Sequence, residues 1–298
     1  MRVLNVDVPA GYALVDMNAR GDLLLGVAWL PKGKKQPQDL PFAGRFISDD
    51  RQILGPGRTV FVDGALQELP NPCAASGSYT CSNDFVSVVQ AANGDIVGYY
   101  QMDAPGTPFD PIRTMAAWRA ASEEWQTLES GFRWAFVPTD MSNSGWIAAN
   151  FFGTFGPQVS RVYSPTGAAR TLPLPSLCPA PFTDALDIFV AAVNDIGEAA
   201  GRALCRTTAG LTTIAVRWPA TAEPITVAPA PISIRDIDEY GNIAGIAADR
   251  ATVWLADGTV VDLSAAVGGQ PSTATKFLKR GQVLGSVAGQ AVIWRFGF

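Results

Sequence analysis

The sequence contains no histidine. This absence excludes Ser-His-Asp and Cys-His nucleophile activation, histidine zinc sites and any imidazole base. Charged residues make up only 16% of the chain and the net charge is −5, so the basic surface that binds nucleic acid is not expected. No apolar run approaches the roughly 20 residues that cross a bilayer, so no membrane span is expected. Acid–base chemistry would have to rest on Asp, Glu, Lys, Tyr or Cys.

Cysteine is also scarce, with four residues and no CxxC motif, which argues against zinc ribbons and thioredoxin-type redox sites. Cys73 and Cys81 flank a short polar loop that suits a local disulfide, and Cys178 and Cys205 can pair in the same way. Disulfides favour an oxidising compartment. The chain nevertheless opens as a strand pattern without a secretory hydrophobic region, which fits the cytoplasm if Met1 is the natural start. No metal or cofactor is expected.

Turns, by contrast, are abundant: the chain has 29 glycines and 22 prolines beside 48% hydrophobic residues, as in a well-packed all-β protein. A turn ending in glycine recurs between apolar strands, and its Asn/Asp-rich composition suits a tight hairpin. The copies are 17–26, 91–98, 141–150, 193–201, 237–245 and 278–285. A second glycine follows four residues later in most copies, with Leu25 and Ala149 in its place in the other two.

Each copy continues into a strand that ends in an aromatic residue, and most copies add a further turn and strand. These aromatic residues are Phe61, Trp118, Tyr163, Trp218, Trp254 and Trp294. Four strands per copy is the composition of a propeller blade, and the aromatic residues are expected to pack between blades. The sequence therefore predicts an all-β, six-bladed β-propeller in a single domain, 1–298. The predicted blades are 11–70, 84–130, 132–173, 187–228, 231–264, and 273–298 together with 1–8.

The N-terminal strand can complete the blade at the C-terminal end of the chain. The last copy stops at Phe298 after its third strand, and the strand pattern at 2–6 has no partner of its own. Donating the N-terminal strand to the last blade would remove both free sheet edges. The segment 46–55 resembles a further hairpin but lacks an aromatic third strand, so we assign it to an insertion in the first blade. Seven blades is the alternative.

The repeat resembles the HAF-repeat family, bacterial β-propeller-like proteins described as probable extracellular repeats. The resemblance rests on the turn with two glycines, the strand ending in an aromatic residue and the strand ending in Leu. It covers nearly the whole chain and is closest at VNDIGEAAG with AVRW (193–201, 215–218) and at IDEYGNIAG with ATVWLADGTVVDL (237–245, 251–263). The resemblance implies the fold and an extracellular or periplasmic location, and says little about activity.

The predicted blades have short turns at one end and long loops at the other, which we call the elaborated end. Long segments between second and third strands, and between blades, emerge at the same end. They are 30–57, 103–113, 151–159, 205–212, 70–84 and 174–187, and they carry all four cysteines. Function on rigid scaffolds concentrates on such loops, so a site is expected at this end and at the mouth of the central channel.

Three carboxylates and a lysine recur five residues before the turn glycine, on the strand expected to line the channel. They are Asp16, Asp140, Asp236 and Lys276. They are candidates to orient a polar ligand or to act as acid, base and electrostatic partner. The alternative is that the aspartates accept backbone N–H bonds near the turn. Trp134 is a candidate to stack on a sugar ring or an apolar ligand, with core packing as its alternative.

Two functions remain open on this basis. The first is a monomeric binding propeller that recognises a small molecule, glycan, peptide or protein at the elaborated end. The alternative is a cofactor-independent lyase, hydrolase or cyclase that uses the carboxylates at the channel mouth.

Overall fold

The chain adopts an all-β β-propeller fold with seven four-stranded sheets, here called blades 1 to 7. The computed structural model describes the chain except residues 76–79, 105–106, 133, 154–158, 177, 179–187, 208–209, 230–231, 280 and 297–298. Two compact units are distinguished by their Cα packing. The N-terminal unit comprises Pro9–Gly156 and Tyr163–Ala168, and the C-terminal unit comprises Met1–Val8, Pro157–Val162 and Ala169–Phe298.

Blades 1, 2 and 3 lie in the N-terminal unit, and the strands of each pair in chain order. The strands of blade 1 are β2 (Asp16–Met17), β3 (Leu23–Leu24), β4 (Ala28–Leu30) and β5 (Gln38–Asp39). Those of blade 2 are β6 (Phe46–Ile47), β7 (Ile53–Leu54), β8 (Thr59–Val62) and β9 (Ala65–Glu68). A short 3₁₀ helix, Pro72–Ala75, precedes blade 3, whose strands are β10 (Thr80–Gln90), β11 (Ile96–Ala104), β12 (Thr107–Arg119) and β13 (Glu124–Phe132).

The fourth sheet has the order β14 (Trp134–Met141), β15 (Ile147–Gly153), β16 (Val159–Tyr163) and β17 (Ala169–Thr171). Blade 5 consists of β18 (Ile188–Val193), β19 (Ala199–Thr207), β20 (Gly210–Trp218) and β21 (Ile225–Pro229). Blade 6 consists of β22 (Ile232–Ile237), β23 (Ile243–Ala247), β24 (Arg250–Trp254) and β25 (Val260–Asp262), followed by a 3₁₀ helix, Leu263–Val267. Blade 7 contains β26 (Ser272–Lys279), β27 (Gln282–Val287) and β28 (Gln290–Arg295).

The predicted closing strand is confirmed. β1 (Arg2–Asn5) pairs antiparallel with β28, with Val3 opposite Trp294, and becomes the fourth strand of blade 7. Strands distant in sequence therefore share one sheet, and the outer edge of β28 is covered.

The predicted number of six blades is wrong, and the alternative of seven is confirmed. The region 11–70 holds two separate sheets, blades 1 and 2, and the segment 46–55 forms the first hairpin of blade 2. The supposed insertion 30–57 therefore runs through the last strand of blade 1 and the first two strands of blade 2.

Two substitutions in the repeat explain the missed blade. In blade 1, Leu30 pairs with Leu23 at the position where Phe61 pairs with Ile53 in blade 2, so blade 1 has no aromatic residue there. In blade 2, Arg51 occupies the position of the turn glycine and adopts the left-handed conformation, with φ 66°. Each blade lacked one of the two features that defined the repeat.

The turn between the first and second strands is fixed by a side chain at its first position. Asn18 Oδ1 accepts the N–H of Asp22, Asn194 Oδ1 that of Glu198, and Asp238 Oδ1 that of Asn242, all at 2.8–2.9 Å. Such bonds within a turn are a common role of Asn and Asp. The amides of the two asparagines also donate to a backbone carbonyl in the turn of the next blade, Asn18 to Ser48 and Asn194 to Asp238. The turns are therefore linked to their neighbours.

The second glycine of the repeat lies opposite a β-bulge in the first strand of the blade. In blades 3, 5, 6 and 7 the first strand is irregular just before the turn, which brings its backbone against the second strand. A Cβ on Gly98 or Gly285 would clash with the carbonyl oxygen of Val86 or Thr273. Glycine allows this close approach between backbones. Blade 4 has the same irregularity with Ala149 at the position, so the bulge does not require glycine in every copy.

Most of the described aromatic residues of the repeat are buried between blades. Trp118 and Tyr100 pack with Leu54 and Val60 where blades 2 and 3 meet. Trp294 packs with Val253 and Leu263 where blades 6 and 7 meet. This layer of side chains is the hydrophobic core of each unit and holds neighbouring sheets face to face.

Candidate functional site

A groove of about 930 Å³ lies where blades 2 and 3 meet, within the N-terminal unit. The strands of blade 2 have two to four residues, whereas those of blade 3 have nine to thirteen. At about 3.3 Å per residue, β12 spans roughly 40 Å and β8 roughly 13 Å. The groove is formed where the long strands of blade 3 extend past the short strands of blade 2.

The residues that line the groove identify the end of the blades at which it opens. Blade 2 contributes Pro56–Arg58, in the loop between its second and third strands, and blade 3 contributes the middle of β10, β11 and β12. We call this the loop end, and the end with the first turns the turn end. The lining residues are Ala43, Arg45, Pro56, Gly57, Arg58, Thr59, Glu68, Phe85, Val86, Ser87, Tyr99, Tyr100, Gln101 and Arg113.

Three arginines and one glutamate give the groove its charge. Arg58 has only 16% of its side chain exposed, and its guanidinium donates to Glu68 and to the carbonyl of Leu69, both at 2.6 Å. Arg45 donates to the carbonyl of Ser87 at 2.8 Å, and Arg113 lies 5.7 Å from the centre of the Tyr99 ring. Arg58 is thus fixed in an ion pair, whereas among the described residues Arg45 contacts the carbonyl of Ser87 and the Phe46 ring, and Arg113 contacts the Tyr99 ring.

The floor of the groove is rigid and apolar. Phe85 is 1% exposed and packs against Trp125, with ring centres 4.5 Å apart. Trp125 donates its indole N–H to the carbonyl of Pro70 at 2.8 Å, so its ring is fixed as well. Rigid aromatic support of this kind preorganises the polar side chains above it.

The corresponding joint between blades 6 and 7, in the C-terminal unit, is closed at its loop end. The second and third strands of blade 6 are joined by a two-residue turn, Ala248–Asp249, with both residues at positive φ. The carbonyl of Asp249 accepts the N–H of Ser272, and the hydroxyl of Ser272 accepts the N–H of Ala251, both at 3.0 Å. Strands of similar length leave no step between these blades.

Two of the predicted carboxylates accept backbone hydrogen bonds. Asp16 accepts the N–H of Met17 at 2.8 Å and that of Ile47, in the first strand of blade 2, at 3.0 Å. Asp236 accepts the N–H of Ile237 at 2.8 Å and that of Phe277, in blade 7, at 2.6 Å. The same pattern in two copies ties each blade to the next, and it favours a structural role for these aspartates over acid–base work.

The remaining predicted residues are spread over the fold. Asp140 lies in β14 and Lys276 in β26, so the candidates divide between the two units: Asp16 and Asp140 in one, Asp236 and Lys276 in the other. Trp134 is the first residue of β14, and its side chain lies outside the described residues. None of these residues lines the groove.

The cysteines are oxidised. Cys178 and Cys205 form the predicted disulfide, with their Cα atoms 5.0 Å apart. Cys73 is disulfide-bonded too, and the side chain of Cys81, its predicted partner, lies outside the described residues. In the described part of the chain, no group of three carboxylate or cysteine side chains is arranged to hold a metal ion. No helix of that part has the length and hydrophobicity required to cross a membrane.

The sequence missed the groove because strand lengths were misjudged. Two segments predicted as loops, 103–113 and 205–212, fall largely in the strands β11, β12, β19 and β20. The signal that was available is the β-branched and aromatic residues within the segment predicted as a loop, such as Thr107, Phe109 and Ile112. Read as strand, they would have shown that blade 3 is taller than its neighbour.

Comparisons with known proteins support the fold. No protein-family model matches the sequence, and no curated protein matches it. Among solved structures, a virginiamycin B lyase from Staphylococcus aureus matches at 10% identity with a TM-score of 0.50, covering 100% of this chain and 99% of that one. A streptogramin B lyase matches at 13% identity and TM-score 0.49, covering 99% and 97%. At these identities the likeness concerns the fold alone.

Proposed function

We propose that the protein is a ligand-binding β-propeller that recognises its ligand in the groove between blades 2 and 3. The observation that carries this proposal is the groove of about 930 Å³, which lies at the loop end and is lined by guanidinium, amide, hydroxyl and phenol groups above an apolar floor. A concave site with a few convergent polar groups is the usual form of a small-ligand site.

The binding function is favoured over the enzymatic one by the bonds of the candidate carboxylates. Both oxygens of Asp16 and both oxygens of Asp236 accept bonds from backbone N–H groups. A catalytic acid or base needs an oxygen that reaches the proton to be transferred. The polar side chains of the groove are better placed to contact a ligand.

A steric block of the groove tests the proposal. Ala43 is exposed and lines the groove, so Ala43→Trp is expected to fill it and to lower ligand affinity at least tenfold. Ala65→Trp is the matched control, because Ala65 is an exposed alanine in the same blade that does not line the groove. The ligands are found by screening oligosaccharides and peptides against the wild-type protein.

Two results would contradict the proposal. One is a screen in which no saccharide, peptide or co-purifying small molecule binds. The other is binding that Ala43→Trp leaves unchanged in a protein whose circular dichroism shows that it is folded.

A further inference from the structure

The charge on the groove wall is not balanced. Arg45 and Arg113 both line the groove, and among the described residues no carboxylate lies within ion-pair distance of either. Arg58, in contrast, is neutralised by Glu68. The described residues that line the groove therefore carry an excess of positive charge in a chain whose net charge is −5.

The two unbalanced arginines are held in place. Arg45 is anchored by its bond to the carbonyl of Ser87, a residue that is 1% exposed. The guanidinium of Arg113 lies near the Tyr99 ring, an arrangement that lowers its mobility and leaves its N–H donors available. Arginine presents a planar fork of donors that matches the two oxygens of a carboxylate.

The rest of the wall favours a sugar over a peptide chain. Tyr99 and Gln101 lie on β11 and Arg113 on β12, and both strands are paired on their two sides. A peptide that binds by adding a strand needs a free edge, which β11 and β12 do not offer; the edge strands β9 and β10 line the groove only at Glu68 and at Phe85–Ser87. Thr59, Gln101 and Tyr99 instead supply hydroxyl, amide and phenol groups of the kind that bond to sugar hydroxyls.

We infer that the groove binds a carboxylate-bearing oligosaccharide, with Arg45 and Arg113 as the residues that recognise the carboxylates. This inference rests on the proposed binding function and gives the class of ligand. The arginines set the charge selectivity, and the neutral polar side chains and the Tyr99 ring contact the sugar itself.

The test compares one sugar backbone with and without its charge. Oligogalacturonate and its fully methyl-esterified form are titrated into the wild-type protein by isothermal calorimetry. The acid form is expected to bind at least about tenfold more tightly, because each charge-assisted bond contributes about 1.5 kcal/mol or more. Its affinity should fall as salt is raised, whereas that of the ester should not.

Variants locate the selectivity. Arg45→Gln and Arg113→Gln are each expected to lower the affinity for the acid form about tenfold and to leave that for the ester within about twofold. Arg250→Gln is the control, since Arg250 is an exposed arginine in blade 6 that does not line the groove. It should change neither affinity.

The outcomes separate the inference from the function on which it rests. Equal binding of acid and ester, or a preference that survives the double Arg45→Gln/Arg113→Gln variant, overturns the inference and leaves the groove as a binding site. A poly-glutamate peptide that binds as tightly as oligogalacturonate would overturn the choice of a sugar. A protein that binds no saccharide or peptide contradicts the proposed function itself.

Discussion

The turn end and the loop end of the blades differ in how adjacent sheets are joined. At the turn end, side chains reach across to the next blade: Asn18 to the carbonyl of Ser48, Arg51 to Asp22, and Arg119 to the carbonyl of Gly145. At the loop end of blades 2 and 3, the hydroxyl of Ser87 donates to the carbonyl of Gly55 at 3.3 Å, and Arg45 donates to the carbonyl of Ser87 at 2.8 Å. The remaining polar side chains there face the groove.

This difference separates stability from recognition along the length of a blade. Buried, hydrogen-bonded polar groups at the turn end, such as Asn18 and Asp22, fix the angle between sheets, and breaking one of them is costly. Where strand lengths differ between blades 2 and 3, the loop end has fewer of these bonds, and it carries two arginines that have no carboxylate partner among the described residues.

The largest loss is expected from Asp22→Ala at the turn end. The Asp22 side chain is 0% exposed and accepts bonds from the N–H of Lys32, from Arg51 and from Asn18 at 2.7–3.0 Å. Its removal leaves buried donors unsatisfied, so the free energy of unfolding should fall by about 3 kcal/mol or more. Urea denaturation measures the loss, and Asp50→Ala, which breaks an exposed ion pair with Arg20, should cost less than about 0.5 kcal/mol.

The same variant has a defined pH dependence. Burial alone would raise the pKa of Asp22, but the bonds from Arg51, Lys32 and Asn18 outweigh it and hold the pKa below its usual value. The stabilisation is therefore present above the unfolded pKa of about 4 and is lost as pH falls through the folded pKa. The difference in the free energy of unfolding between wild type and Asp22→Ala should decrease below about pH 4. A difference that increases there would contradict this explanation.

A smaller effect is expected where blade 6 reverses the polar pair of blade 1. Blade 1 has Asn18 bonded to Asp22, whereas blade 6 has Asp238 accepting from the amide of Asn242 at 2.8 Å. Asp238→Asn should cost about 1–2 kcal/mol, because two amide groups then face each other. Burial raises the pKa of Asp238, so removing its charge offsets part of the loss.

The reversed pair provides its own control. The double variant Asp238→Asn/Asn242→Asp recreates the arrangement of blade 1 and should recover at least half of the loss in a double-mutant cycle. If the losses in the free energy of unfolding caused by the two single substitutions add in the double variant, the two side chains do not act as a pair.

The closed and open loop ends can be compared through matched serines. Ser272→Ala leaves the buried N–H of Ala251 without its acceptor and should cost about 1 kcal/mol. Ser87→Ala removes a longer bond to a carbonyl that keeps other bonding capacity, and should cost about half as much. Thermal unfolding of the two variants measures the ranking, and the reverse order would be inconsistent with a joint that is open at blades 2 and 3.

The smallest effect on stability is expected within the groove. Arg113→Gln removes a guanidinium that has no carboxylate partner among the described residues, so stability should change by less than about 0.5 kcal/mol. Arg58→Gln should cost more, about 1 kcal/mol, because Arg58 is mostly buried and bonds to Glu68 and to the carbonyl of Leu69. Equal losses by calorimetry would remove the distinction between the paired and the unpaired arginine.

The sequence predicted the propeller because its repeat depends on strong local rules. The turn glycines, the aromatic third strand and the N-terminal strand each require one backbone arrangement, and they were sufficient for the fold class and for the closure of blade 7. The prediction failed where these residues are replaced. Leu30 takes the place of the aromatic residue in blade 1 and Arg51 that of the turn glycine in blade 2, so one blade was missed.

The site was harder to predict because it depends on tertiary structure. Arg45, Arg58 and Arg113 are far apart in sequence and meet only because a short blade lies beside a tall one. The elaborated end was expected to carry the site, and the groove opens there, but no single motif marks its residues. Asp16 and Asp236 drew attention through a repeated pattern that the structure shows to be a backbone contact between blades.

The account is tested most directly by hydrogen exchange of the protein with and without the tightest-binding oligosaccharide from the screen. Ligand should protect peptides that cover 43–59 and 85–101, the segments that form the two walls of the groove. The turn-end peptides around Asn18 and Asp238 should exchange at the same rate in both states. Protection at the turn ends with none in the groove would contradict the account.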